Sequence, residues 1–118
     1  MRIAVDKRGG LFPVDRRVEI DDNAVRVTDT PPGATAELAI TREQPLATTD
    51  ALRLRELASQ VVAAGDQIDD GPGGVDAGAT VIDVDDGQGH SRVEIRMGRT
   101  TAQDVWNLLD AVDRLTPD

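Results

Sequence analysis

The 118-residue sequence predicts an α+β fold: an antiparallel sheet of four to six strands with two helices packed on one of its faces. Three observations carry that expectation. The last third reads as a two-stranded hairpin, 80–85 and 91–97, that runs straight into an amphipathic helix over 101–115. The N-terminal segments 2–6 and 16–21 show the same one-in, one-out alternation. A second apolar stripe at the helical period occupies 50–64. The order is β-β-(β-β)-α-β-β-α, and hairpins joined by helices favour antiparallel pairing with both helices on one face.

In the first strand Ile3 and Val5 alternate with Arg2, Ala4 and Asp6, and in the second Val18 and Ile20 do the same. The connection between them, Lys7 to Asp15, places Arg8-Gly9-Gly10 before Leu11 and Phe12, two bulky apolar residues where hairpin loops are normally polar. Either one of them folds back over the open edge of the core, or one is displayed as an anchor for a partner. Val25 and Val27 begin a third strand that Pro31-Pro32-Gly33 terminates, and Ala36, Leu38 and Ile40 make a weak fourth. Residues 41–49 read as a polar loop around an exposed Leu46, a second candidate contact. Asp50 is expected to cap the first helix, whose stripe is Ala51, Leu54, Leu57, Ala58, Val61 and Val62, with Gly65 as the left-handed residue that ends it. The glycine-rich acidic stretch 66–78 reads as a mobile linker.

In the hairpin, Ile82 and Val84 and then Val93, Ile95 and Met97 take the dry face, and the turn 85–90 is rich in residues that accept positive φ. Thr100 and Gln103 stand at capping-box spacing, and the last helix sets Ala102, Val105, Trp106, Leu109, Val112 and Leu115 on one stripe, with Trp106 expected in the interface.

A chain of this length is one domain, residues 1–118, that buries roughly 65% of its unfolded surface. One Trp, one Phe and no Tyr leave the core to aliphatic residues and remove the stacking platforms that single-stranded nucleic acid needs. A net charge of −9 repels a phosphate backbone and an anionic membrane alike, so the expected partner is a protein, with no nucleic acid and no membrane. The absence of Cys excludes disulfides and thiolate chemistry. No apolar leader or 18-residue apolar span is visible, so a cytoplasmic protein, monomeric when free, is the expectation.

Catalytic chemistry finds little support. His90 is the single histidine and has no second imidazole or thiol to complete a metal site or nucleophilic dyad. Asp83, Asp85 and Glu94 fall on the first, third and twelfth positions of a calcium-loop frame, but Gly87 and Gln88 stand where a third oxygen ligand and the turn glycine are needed. Gly71-Pro72-Gly73-Gly74 lacks the Lys-Ser/Thr pair of a phosphate loop. The residues point to no catalytic site, metal or cofactor, and to a binding protein rather than an enzyme.

Two segments carry a resemblance. The opening strand with its Arg8-Gly9-Gly10-Leu11-Phe12 turn, and the stretch 80–115 with its Asp-Asp-Gly turn and closing Trp/Leu helix, are similar to the emfourin family of small bacterial inhibitors of thermolysin-like (protealysin-like) zinc metalloproteases. The helix 50–64 falls where that family has one, and together these segments cover about two thirds of the chain. Residues 24–49 are longer than the resemblance leads one to expect, and the family's aromatic residue in the strand 80–85 is missing. The resemblance implies an inhibitor that plugs the active-site cleft with an apolar loop, with Arg8, Gly9, Gly10, Leu11 and Phe12 as first candidate contacts and Leu46 as the second. The alternative is a small non-catalytic structural or regulatory module, and an enzyme built on carboxylates is a more distant third.

Overall fold

Alternation of apolar and polar residues dominates the architecture. The computed structural model describes residues 1–8, 15–31, 39–69, 78–96 and 102–116. Their order is β1 (Arg2–Arg8), β2 (Asp15–Ile20), β3 (Ala24–Thr30), β4 (Ile40–Pro45), α1 (Thr48–Ala64), β5 (Gln67–Asp69), β6 (Ala79–Asp85), β7 (His90–Ile95) and α2 (Gln103–Leu115). The strands form one sheet in the order β4-β3-β2-β1-β6-β7-β5, so β1 lies at its centre with β2 on one side and β6 on the other.

Register places like with like. One row across the sheet reads Val27, Val18, Val5, Ile82 and Val93, and the next reads Val25, Ile20, Ile3, Val84 and Ser91. These residues share a single buried cluster, Ser91 apart, with Leu54, Leu57, Ala58 and Val61 of α1 and Val105, Leu108 and Val112 of α2. Both helices therefore cover one face of the sheet. The intervening residues, among them Arg17, Glu19, Arg26, Asp83, Arg92 and Glu94, form the opposite face, which carries charge.

The α+β class holds, with several corrections. The sheet has seven strands rather than four to six, and it is mixed, because β5 pairs parallel to β7. Both of those strands start from the same end of the sheet, one leaving α1 and the other leaving the β6–β7 turn. A three-residue strand, Gln67-Ile68-Asp69, has too little pattern to show in sequence, so the expected linker 66–78 begins as sheet; residues 70–77 lie outside the described residues.

Residues 41–49 are not a loop. Thr41 to Pro45 belong to β4 and α1 begins at Thr48, while of the expected strand Ala36–Ile40 only Ile40 is in β4 and 36–38 lie outside the described residues. As an edge strand over the rim of the core, β4 needs no apolar alternation: Arg42 reaches Asp29, and the Gln44 amide donates to the Leu115 carbonyl.

Helix ends also differ. The N-cap of α1 is Ala47, with Asp50 inside the first turn, where its carboxylate favours the positive end of the helix dipole. Gly65 has φ 81° and ψ −174°, a positive φ but not the left-handed helical conformation, and its N–H donates to the Val62 carbonyl at 3.1 Å. At α2 the N-cap is Ala102, with no side-chain cap; Gln103 is the first helical residue and its amide donates to Asn107 at 2.8 Å, so it closes no capping box, and Thr100 lies outside the described residues.

Trp106 is the largest correction. It is 52% exposed, and the buried stripe of α2 is Val105, Leu108 and Val112. A stripe centred on Leu108 turns Trp106 to the side of the helix away from the sheet, because a residue two positions away in sequence stands about 160° around the axis. Leu108→Ala is expected to destabilise by about 2 to 5 kcal/mol in urea titrations, and Trp106→Ala by about 1 kcal/mol. Trp106 emission, the only indole signal of the chain, should be red-shifted and quenched by acrylamide in the native state.

A second prediction concerns acid. On β3, Asp29 accepts hydrogen bonds from Arg16 of β2 at 2.7 and 3.0 Å and from Arg42 of β4 at 3.0 Å. The Arg16 hydrogen bonds, foremost, hold the Asp29 carboxyl below its ordinary value. A depressed folded value means that this stabilisation is complete above the unfolded pKa near ~4 and disappears as pH falls through the lower folded value. Asp29→Asn should therefore lower stability at pH 7 and flatten its loss below about pH 4, as read by denaturation midpoints across that range.

Candidate functional site

Strand direction sorts the connections between the elements by length. β1 and β3 run one way along the sheet and β2, β4 and β6 the other. The short reversals, 21–23 and 86–89, sit at one end. There the Asp21 carboxylate accepts from the N–H groups of Asn23 and Ala24, and the Asp86 carboxylate from those of Gln88 and Gly89. Those backbone hydrogen bonds hold the Asp86 carboxyl below its ordinary value, and Gly87 supplies the positive φ of 94° that the turn requires. The longer connections 9–14, 31–39 and 70–78 leave from and return to the other end, and 96–102 leaves from it. Two ion pairs brace that end: Lys7 with Asp113 of α2 at 3.1 Å, and Arg16 with Asp29.

Arg8 is the last residue of β1, exposed, opposite Ala79 of β6. It has no ion-pair partner among the described residues. Gly9, Gly10, Leu11 and Phe12 lie outside the described residues. Leu46 is described and is not an exposed side chain. It is half-buried, packs against the core cluster, and its N–H donates to the Asn23 carbonyl at 2.8 Å. It also stands at the short-turn end. The fold thus places Arg8 and Leu46 at opposite ends of the sheet.

The charged face of the sheet carries a shallow trough that sequence reasoning missed. Two depressions, of ≈ 290 Å³ and ≈ 180 Å³, lie end to end along the β1/β6 pair and share Asp83 as a wall. Small residues make the floor: Ala4 in one, Ala79 and Val81 in the other. Arg2, Arg17, Asp85 and His90 border the first, and Asp6, Arg8 and Arg92 the second. The signal was present in sequence as the alternate positions of two strands that carry Ala or Val instead of a long side chain, but only pairing β1 to β6, far apart in the chain, aligns them.

Its inner charges satisfy one another. The Arg17 guanidinium donates to Glu19 at 2.9 Å and to Asp6, and those carboxylates hold it above its ordinary pKa, Glu19 first. Arg92 stands 3.6 Å from Asp83 and 3.4 Å from Glu94, and the His90 Nε2 is 3.6 Å from Asp83. His90 is the first residue of β7, paired with Asp85, rather than a turn residue. At the two ends of the trough the pairing is looser. Arg2 is 71% exposed, with Glu19 at 3.9 Å as its ion-pair contact, and Arg8 is open as described above.

A third concavity, ≈ 340 Å³, runs between the helices over Leu54, Leu57, Ala111 and Leu115, with Asp50, Arg53, Asn107, Asp110 and Arg114 at its rim. Among the described residues no group of three or more His, Asp or Glu is placed to hold a metal ion, and no helix is long and apolar enough to cross a membrane. Ser91, next to His90 in sequence, is fully buried with its Oγ unpartnered, on the face opposite the charged one. Compared with models of known protein families and with curated proteins, the chain matches none.

Proposed function

We propose that the chain is a non-catalytic binding protein that inhibits a thermolysin-like zinc metalloprotease through the connection 9–14, as its resemblance to the emfourin family implies. The observation that carries this reading is the base of that connection. It springs from β1 and β2, the central strand and its neighbour, each hydrogen-bonded on both sides, and Lys7–Asp113 and Arg16–Asp29 clamp its two stems. Stems held in this way need not reorganise when a partner binds, which lowers the entropy cost of association. Thermolysin-like clefts hold a zinc beside a deep apolar pocket, so Leu11 or Phe12 is the natural plug. An inhibitor of this kind needs no catalytic residue, metal or cofactor of its own.

The free chain is proposed to be a monomer. One sheet edge is the three-residue β5 and the other, β4, carries Arg42, Glu43 and Pro45, which discourage pairing with another edge. The alternative, a regulatory module that holds a partner segment, is favoured by the trough on the charged face, which a cleft plug does not require.

Titration of a thermolysin-like protease with the purified chain tests the first reading. Competitive inhibition is expected, weakened by about 2 to 4 kcal/mol in Leu11→Ala/Phe12→Ala with unchanged thermal stability. Leu46→Ala should destabilise the fold and leave the inhibition constant of the folded fraction unaltered. No inhibition across that protease class would sink the proposal in favour of the module.

A further inference from the structure

We propose that β5 is a guard strand: it occupies the edge of β7 that would otherwise pair antiparallel with β7 of a second copy of the chain, and its displacement converts the monomer to a dimer. The inference rests on the monomer proposed above for the intact chain. On one side β7 is covered along all six of its residues by β6. On the other it meets only the three residues of β5, which pair with Val93, Glu94 and Ile95. The carboxylate of Asp66, just before β5, accepts from the Arg92 N–H at 2.8 Å and so takes a further backbone donor on that edge. A cover this short is held by little else, for Ile68 at its middle is 64% exposed.

The edge beneath the guard is complementary to itself. Backbone groups of successive strand residues point to opposite sides, so Arg92 and, two residues on, Glu94 present theirs away from β6. An antiparallel copy centred on Val93 sets Arg92 opposite Glu94 of the second copy and Glu94 opposite the second copy's Arg92, as two hydrogen-bonded pairs that flank a contact between the two Val93 side chains. Faces agree as well as charges, since Val93 is buried on the dry face in both copies and Arg92 and Glu94 lie on the charged one. Within one chain Arg92 and Glu94 stand 3.4 Å apart, so each chain exchanges that pair for one across the seam and no charge is stranded. The opposite edge of the sheet has no such register. Arg42 and Glu43 of β4 are adjacent and lie on opposite faces, so no antiparallel copy of β4 sets one against the other.

The test compares the native full chain with a guardless one, Asp66→Ala/Gln67→Pro/Asp69→Pro, by sedimentation velocity and ¹⁵N spectra. Proline removes the N–H groups that β5 offers to β7, and alanine the carboxylate that holds Arg92. The native chain is expected to sediment as a monomer and the guardless chain at twice its mass, with concentration-dependent amide shifts along His90–Ile95. Adding Arg92→Glu to the guardless chain should return it to the monomer, and adding Arg92→Glu/Glu94→Arg should restore the dimer. A native chain that is already a dimer overturns the monomer reading and the guard with it. A guardless chain that stays monomeric, that unfolds instead of associating, or that associates regardless of the charge variants overturns the guard and leaves the monomer standing.

Discussion

Ile3 and Val5, on the central strand, have hydrogen-bonded neighbours on both sides, and every other element takes its position from that fact. Because β1 pairs with β2 on one side and with β6 on the other, two apolar rows run unbroken across the sheet, Val27 to Val93 and Val25 to Val84. Side chains alternate with period two, so a one-residue slip of β1 against either neighbour would send its valine and isoleucine into water and its Asp6 into the core. The register is therefore fixed by burial, and the helices can rest only on the face that it makes dry.

Fixing the dry face also fixes the wet one. Polar residues there are long on β2 and β7 and short in the middle of β1 and β6, so a furrow appears between two banks of charged side chains. The banks are largely self-neutralised, by Arg17 with Glu19 and Asp6 and by Arg92 with Asp83 and Glu94. Cross-strand pairs of this exposure contribute little to stability individually, but they orient one another, and Arg8, with no such partner among the described residues, stands apart from them.

The parts of this architecture that announce themselves in sequence are the ones governed by burial on a single face. The strands around Ile3, Val18, Val27, Ile82 and Val93 were legible because each alternates, and α1 because Leu54, Leu57, Ala58 and Val61 repeat at the helical period. β4 and β5 were not. An edge strand at the rim satisfies Arg42 and Gln44 by hydrogen bonding to Asp29 and Leu115, so no apolar period is required of it. Trp106 misled because size was read as burial; Leu108, smaller and two positions on, fits over the sheet, and the indole is left on the outer side of the helix. The trough was illegible for a different reason, since its floor is shared by strands whose pairing is set by the whole chain. The separation of Leu46 from Arg8 follows from strand direction, which a linear pattern does not express.

The central position of β1 bears on how the chain must be assembled. Its first partner, β2, lies a few residues ahead, but its second, β6, begins only at Ala79. Until that strand has been synthesised, one side of β1 is an open row of backbone donors and acceptors, flanked by Ile3 and Val5 that lack half of their cover. An incomplete chain is thus a half-sheet with β1 and its buried Ile3, Ala4 and Val5 at the margin, the kind of edge on which other nascent chains readily template. The last third of the sequence is the half that closes the sheet over its own beginning, and a chain cut within 70–77 should be lost to aggregation sooner than to unfolding.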